Sequence, residues 1–268
     1  MTLAALNMYD LPALRPAIEE LWAALGSAMR EAGIEDVPAG LTWEPSDEAL
    51  WLAPDLLFAQ TCGYPLTHGL AGRVRLVATP RYRIPDIAGP YYHSHILVRE
   101  DSDATTLEDL RGARAAYNGR DSQSGYSALR LALAPLARDG RFLGAAVESG
   151  AHLASMAMVA EGEADLCAVD AVIWKLAARH EPWRVEGLRV IAVSEPAPNL
   201  PYITAATADD LLVDCLRDAL AQVMADPRLG ALREALLIED IDVLPLGAYD
   251  RVVDMERQAV ELGYAALA

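Results

Sequence analysis

Short apolar runs alternate with amphipathic helical stretches along most of this 268-residue chain, and that alternation narrows the fold more than any other feature. Residues 3–7 read as a short buried strand. Leu11, Leu14, Ile18, Leu21, Trp22, Leu25 and Met29 follow at spacings of three and four, which predicts a helix with one buried face. Asp10 is expected to cap it, with Pro12 in its first turn and Gly33 past its end. Further strands are read at 55–59, 74–79, 113–117, 145–148, 165–169 and 188–193, most of them followed by a helix. From 205 onward the pattern is read as helical, with Asp209 or Asp210 starting one helix and Val252, Met255, Ala259 and Leu262 marking the last. The class expected is α/β with a mainly parallel sheet.

With 53% hydrophobic residues the chain has the composition of a globular protein. Lys+Arg number 22 against 39 Asp+Glu, a formal charge of −17, and Lys175 is the only lysine. Such a surface repels nucleic-acid phosphates and anionic lipid heads, so neither is expected as a partner. A small anion inside a cleft is still compatible, because helix dipoles and hydroxyls act locally. Cys62, Cys167 and Cys215 are far apart and match neither a metal-ligand spacing nor a disulfide framework. The five histidines are scattered or, at His93 and His95, two apart, and no metal or cofactor is expected. The first ten residues have no basic region and only a short apolar run, and no stretch is long enough to span a membrane. As written the chain reads as cytoplasmic; a trimmed leader would make it periplasmic.

Chemistry concentrates where strands run into polar loops. After the 113–117 strand comes Asn118-Gly119-Arg120-Asp121-Ser122-Gln123-Ser124-Gly125-Tyr126, then Leu129, Leu131, Leu133 and Leu136. That order is strand, loop, helix, and it places free N–H groups and serine hydroxyls at a helix start, where an anion is favoured. The plain alternative is that Asp121 or Ser122 only caps the helix. Gln60-Thr61-Cys62-Gly63-Tyr64 puts small polar residues and an aromatic just past another strand, the position at which ligands sit in open α/β sheets. Ser149-Gly150-Ala151-His152 repeats the arrangement after 145–148.

Four segments carry a resemblance. They are Thr106-Leu107-Glu108-Asp109-Leu110-Arg111-Gly112, the Asp121–Tyr126 turn, Ser149–His152, and 161–170, which holds a G-x-x-D-x-x-x-x-D pattern from Gly162 to Asp170. In these, and in the order of its segments, the chain resembles the phosphate/phosphonate substrate-binding family of ABC transporters, which has the type 2 periplasmic-binding-protein fold. The resemblance implies two α/β lobes joined by two crossover strands. Residues 1–92 and 205–268 would form one lobe, 99–192 the other, with crossovers at 93–98 and 193–204, a ligand in the interlobe cleft, and hinge closure over it. It further implies that Ser122, Ser124 and Gly125, between Asn118 and Tyr126, receive the anionic head of a ligand. Ser149, Gly150 and His152 would flank that head, Gln60, Thr61 and Tyr64 would face it, and Tyr9 and Tyr202 would close over it. Asp170 would offer an acidic contact or cap the next helix. The partners implied are a small anionic ligand and an ABC transporter permease.

The function expected is non-catalytic binding of a small polar, phosphonate-like anion, in transport or in a sensor derived from it. Cytoplasmic enzymes of the dehydratase or lyase kind share this fold and are the alternative. A thiol–base pair of Cys62 and His152 is the enzymatic reading nearest to hand, but buried cysteines most often only pack.

Overall fold

The computed structural model describes residues 2–43, 48–85 and 87–268. In chain order the first elements are β1 (Leu3–Ala5), α1 (Arg15–Glu31), α2 (Glu48–Trp51), β2 (Leu56–Gln60), α3 (Gly63–Thr67) and β3 (Val74–Tyr82). Then come β4 (Tyr91–Tyr92), β5 (Ser94–Arg99), β6 (Arg114–Tyr117), α4 (Ala128–Leu133), β7 (Ala145–Glu148), α5 (His152–Ala160), β8 (Leu166–Asp170), α6 (Ala171–His180) and β9 (Leu188–Val193). The chain finishes with β10 (Ala197–Pro198), β11 (Tyr202–Ala205), α7 (Asp210–Ala225), α8 (Gly230–Ala235), β12 (Ile238–Asp242) and α9 (Asp250–Glu261). They form two compact units, Met1–Pro90 with Pro198–Ala248, and Tyr91–Ala197 with Tyr249–Ala268.

Each unit is built on a five-stranded sheet, ordered β1-β2-β11-β3-β12 in the first and β7-β6-β8-β5-β9 in the second. Neither is mainly parallel, contrary to the expectation from alternation. β1 runs parallel to β2, and β6 runs parallel to both β7 and β8. β11 is antiparallel to β2 and β3, and β5 is antiparallel to β8 and β9. The reason lies in how β5 and β11 arrive. Each is the strand by which the chain enters a unit directly, without the helical crossover that a parallel neighbour requires. β2, β8 and β11 are buried along their whole length, which explains why Leu166-Cys167-Ala168-Val169 and Leu56-Leu57-Phe58-Ala59 are continuous apolar runs and do not alternate.

Helix α1 follows the apolar spacing, burying Ile18, Leu21, Trp22, Leu25 and Met29, and packs on α7. Asp10 does not cap it. A short 3-10 turn, Pro12–Leu14, precedes α1, and the Asp10 carboxylate instead takes both Nε and Nη2 of Arg15 at 2.7 Å. Asp209 does cap α7, accepting from the Leu212 N–H at 2.8 Å. One strand lies in the stretch read as helical: β12, Ile-Glu-Asp-Ile-Asp, pairs antiparallel with β3 and follows Leu237, whose φ of 58° turns the chain out of α8.

The last twenty residues also differ from expectation. Residues 249–268 belong to the second unit, whereas the 205–268 segment was expected to complete the first. Val252, Met255 and Ala259 of α9 are fully buried and the helix packs on α4. Beyond it, the Ala268 carbonyl accepts from the N–H groups of Phe142 and Leu143 at 2.7 and 2.8 Å.

One irregularity in the first sheet has an identifiable support. The register between β11 and β3 jumps from Ala78 to Leu76 across a bulge, leaving the Val77 carbonyl out of the ladder. Arg217 of α7 donates to it from Nε at 2.9 Å and reaches the Leu76 carbonyl from Nη2 at 3.4 Å. Arg217→Met keeps the stem and removes these donors, so a carbonyl loses its partner. The expected loss is about 1–3 kcal/mol of unfolding free energy, measured by urea denaturation at unchanged slope.

Candidate functional site

In the second unit, β6 ends at buried Tyr117 and the chain turns through 118–121 to Ser122. Ser122 has extended dihedrals, φ −89° and ψ 124°, and its Oγ accepts from the Gly125 N–H at 3.0 Å, so it is an N-cap. Residues Gln123–Ser127 form a π-helical turn that continues into α4. Its wider pitch is visible in the Ser127 N–H, which reaches the Ser122 carbonyl at 3.0 Å. Ser122, Gln123 and Ser124 are all buried.

Ser124 and His152 meet at 2.7 Å, Oγ to Nε2. His152 is the first residue of α5, and the loop before it turns at Gly150, φ +85°. The Ser149 N–H continues the parallel ladder to the Tyr117 carbonyl at 2.8 Å, so the loops after β6 and β7 leave the sheet side by side. Burial pushes the His152 imidazole down to about 4, opposed only by the Ala168 carbonyl, so the ring is neutral at neutral pH. One consequence is a choice of tautomer. With the proton on Nε2 the ring donates to Ser124, whose own O–H is then free to point elsewhere; with it on Nδ1, toward the Ala168 carbonyl, Nε2 accepts from the Ser124 O–H. Gly125 is needed where it is: a Cβ there would lie 1.9 Å from Asn118 Oδ1 and 3.1 Å from His152 Cε1. Asn118 Oδ1 is itself buried with no hydrogen-bond partner among the described residues.

Asn118, Ser122, Ser124, Gly125 and His152 are thus brought together. Three other expected residues of this unit have their polar groups committed locally. Ser149 Oγ lies 2.6 Å from Ser155 Oγ and 3.1 Å from the carbonyls of Tyr117 and Ala151. The Asp170 carboxylate accepts from the Val172 N–H at 2.6 Å and caps α6. Tyr126 turns inward, edge-on to Tyr117 at 5.0 Å, and its hydroxyl accepts from the Leu267 N–H at 3.4 Å.

The residues expected from the first unit are organised by Tyr82, which the sequence pattern did not single out. Tyr9 packs edge-on against its ring at 5.5 Å. Gln60 Nε2 donates to its hydroxyl at 3.2 Å and to the Leu200 carbonyl at 3.0 Å. Tyr202 lies against Phe58 at 5.0 Å, and burial raises its phenol pKa although a hydrogen bond with Tyr82 works against this. The Thr61 N–H donates to the Pro201 carbonyl at 3.0 Å, while Thr61 Oγ1 is buried without a partner among the described residues. Tyr64 is part of a one-turn helix, α3, where a loop was expected, and its ring stacks on His68 at 3.9 Å. The sole sequence signal for Tyr82 was the apolar run at 74–79, which the strand extends past Pro80.

A Ser–His contact is also the beginning of a nucleophile–base pair, but the set is not completed among the described residues. No carboxylate among the described residues is hydrogen-bonded to His152, and an imidazole held near 4 is a weak base. Cys62 is buried in the other unit, ahead of α3. No cluster of three or more His, Cys, Asp or Glu suited to a metal occurs among the described residues.

The family described as "ABC transporter, phosphonate, periplasmic substrate-binding protein" matches residues 54–243, well over half of the chain and both loops of the serine site. The chain belongs to that family. A binding-protein component of an ABC phosphonate transporter from Pseudomonas aeruginosa superposes on this family member with a TM-score of 0.78 at 14% identity, covering 98% of this chain and 87% of that one. PhnD1 from Prochlorococcus marinus (MIT 9301), in complex with methylphosphonate, gives 0.76 at 14% identity, covering 98% of each. A Xanthomonas citri protein bound to ATP gives 0.71 at 19% identity, again covering 98% of each. At these identities the likeness is one of fold, and the fold is that of the two-lobed periplasmic binding proteins. No curated protein sequence matches the chain. No helix among the described residues is long and apolar enough to cross a membrane.

Two outcomes are expected of this phosphonate-binding-family chain. Gly125→Ala forces Asn118 or the turn to move, lowering stability by about 1–3 kcal/mol in urea denaturation. The second concerns pH. His152 and His95 both have folded-state values of about 4, His95 through burial and then the charges of His93 and Lys175. The unfolded chain takes up these protons near 6.5, so their contribution to stability is complete above that pH and is lost as pH falls toward 4. The slope is about 1.4 kcal/mol per pH unit for each histidine. His152→Gln should flatten it by up to one proton's worth between pH 6.5 and 4, read as unfolding free energy against pH.

Proposed function

We propose that this chain binds a small polar anion of the phosphonate or phosphate class without transforming it, and that Asn118, Ser122, Ser124, Gly125 and His152 receive the anionic head. The observation that carries the reading is the buried turn in which Ser124 is held by a neutral His152 at the head of a helix. The N–H groups of Gln123 and Ser124 open that turn and have no acceptor within it, so they offer neutral, directed donors to an oxyanion, joined by the Ser124 hydroxyl when the His152 proton sits on Nε2. Family membership supports transport as the setting, with a permease as the partner and the periplasm as the compartment. The solved complexes with methylphosphonate and with ATP support a phosphorus oxyanion as the group recognised.

Tyr9, Gln60, Thr61, Tyr64 and Tyr202 are proposed as ligand contacts within the first unit, with Thr61 Oγ1 its available hydroxyl. Tyr126, Ser149 and Gly150 then act by shaping the two loops, and Asp170 by capping α6.

Isothermal titration against methylphosphonate, inorganic phosphate, ATP, a sulfonate and neutral amino acids tests this. Binding is expected for at least one phosphorus oxyanion, and phosphorus NMR should show it unchanged after incubation. Ser122→Ala with Ser124→Ala should weaken binding more than about tenfold, because two hydrogen bonds to a charged group are lost. Ser124→Ala alone is the cleaner variant, since Ser122→Ala also removes a helix cap worth about 1 kcal/mol of stability. Binding confined to neutral or cationic compounds would sink the anion assignment.

A further inference from the structure

The serine turn has a second face, and residues from the far end of the sequence cover it. Gln123, Tyr126 and Arg130 are spaced i, i+3, i+7, so they project from one side of the turn and of α4. All three meet the 249–268 segment. Gln123 Nε2 lies 3.1 Å from Met255 Sδ. Tyr126 accepts from the Leu267 N–H at 3.4 Å. Arg130 does most: its side chain is 5% exposed, Nη2 meets Glu256 Oε1 at 3.1 Å and Nη1 donates to the Ala265 carbonyl at 2.9 Å. Its guanidinium also lies over the Tyr126 ring, 5.6 Å from the centroid.

Arg130 therefore joins three things at once: α9 through Glu256, the chain beyond α9 through Ala265, and the turn itself through Tyr126. A buried guanidinium needs its partners, and its planar fork fixes their relative placement. The π-helical turn has fewer well-aligned internal hydrogen bonds than an α-helix, so its shape depends on what packs behind it.

We propose that Arg130 is a positioning residue for anion binding: by tying the 249–268 segment to the back of the serine turn, it sets the aim of Ser122 and Ser124 without touching the ligand. This rests on the anion-binding role proposed for those serines. Affinity is then linked to contacts on the opposite face of the turn from His152, and a change at Glu256 is felt at the anion.

The test uses the full chain and methylphosphonate and inorganic phosphate as probes, with Arg130→Met, Arg130→Lys, Glu256→Gln and Glu256→Lys. Three quantities are read: the dissociation constant, the thermal midpoint, and amide hydrogen exchange at 122–127 in the unliganded protein. Glu256→Lys and Arg130→Met are expected to weaken binding about tenfold or more, within the range typical of coupling between sites, and to speed exchange at 122–127. Arg130→Lys should recover part of the affinity. Adding Ser124→Ala to Glu256→Lys should cost less affinity than Ser124→Ala costs alone, since the two changes act through one element. If Arg130→Met fails to fold, the Glu256 variants carry the test. A lowered midpoint with unchanged affinity and unchanged exchange at 122–127 would overturn the proposal. If the wild type binds neither of these probes nor ATP, the anion-binding reading fails, and the exchange arm decides Arg130 on its own: faster exchange at 122–127 keeps its hold on the turn, unchanged exchange removes it.

Discussion

The contact between Ser124 and His152 is the one on which the site's geometry depends. It joins the loop that leaves β6 to the loop that leaves β7, and those strands are parallel neighbours whose ladder is continued by Ser149 into the Tyr117 carbonyl. A buried hydroxyl without a partner is costly, so the pairing resists being broken in either loop. It also requires Gly125, because the path of the turn past Asn118 and His152 leaves no room for a methyl group. Extended cap, π-helical turn and glycine are therefore parts of a single solution to placing two serines at a helix start.

The protein carries a formal charge of −17, yet the ligand class proposed for it is anionic. Two physical facts reconcile these. Screening limits the reach of surface charge to about 8–10 Å at ordinary ionic strength. Hydrogen-bond donors in a buried turn act on an oxyanion directly and without reorganising. Neutral donors also discriminate by direction: a tetrahedral oxyanion presents several acceptors to a fan of hydroxyls and N–H groups, where a lone cation would attract any negative group equally.

Local signals were legible in the sequence and long-range ones were not. The start of the serine turn, the Asp209 cap and the buried face of α1 are written in residues a few positions apart, and the structure has them where the spacing put them. The motif segments that carried the resemblance lie inside the matched family region. Asp10 misled because an arginine five residues on offered its carboxylate a better partner than a helix N–H. β12 was hidden because its apolar neighbours Leu236 and Leu237 continue a helical pattern, and the positive φ at Leu237 leaves no trace in residue type. The roles of Tyr82 and Arg130 could not be read. Tyr82 gathers Tyr9, Gln60 and Tyr202, and Arg130 gathers Glu256 and Ala265, partners up to 135 positions away. Such pairings are set by topology, and nothing in a local window records them.

Neither unit is continuous in the chain: residues 91–197 interrupt the first, and the second is completed only by 249–268. This orders events during synthesis. When the chain has emerged through residue 197, β6, β7 and β8 can pair, but the face of the serine turn formed by Gln123, Tyr126 and Arg130 still lacks its covering. Domains that are contiguous can fold as they leave the ribosome; this one waits. The serine turn, near the middle of the sequence, is thus among the last parts of the molecule to be finished.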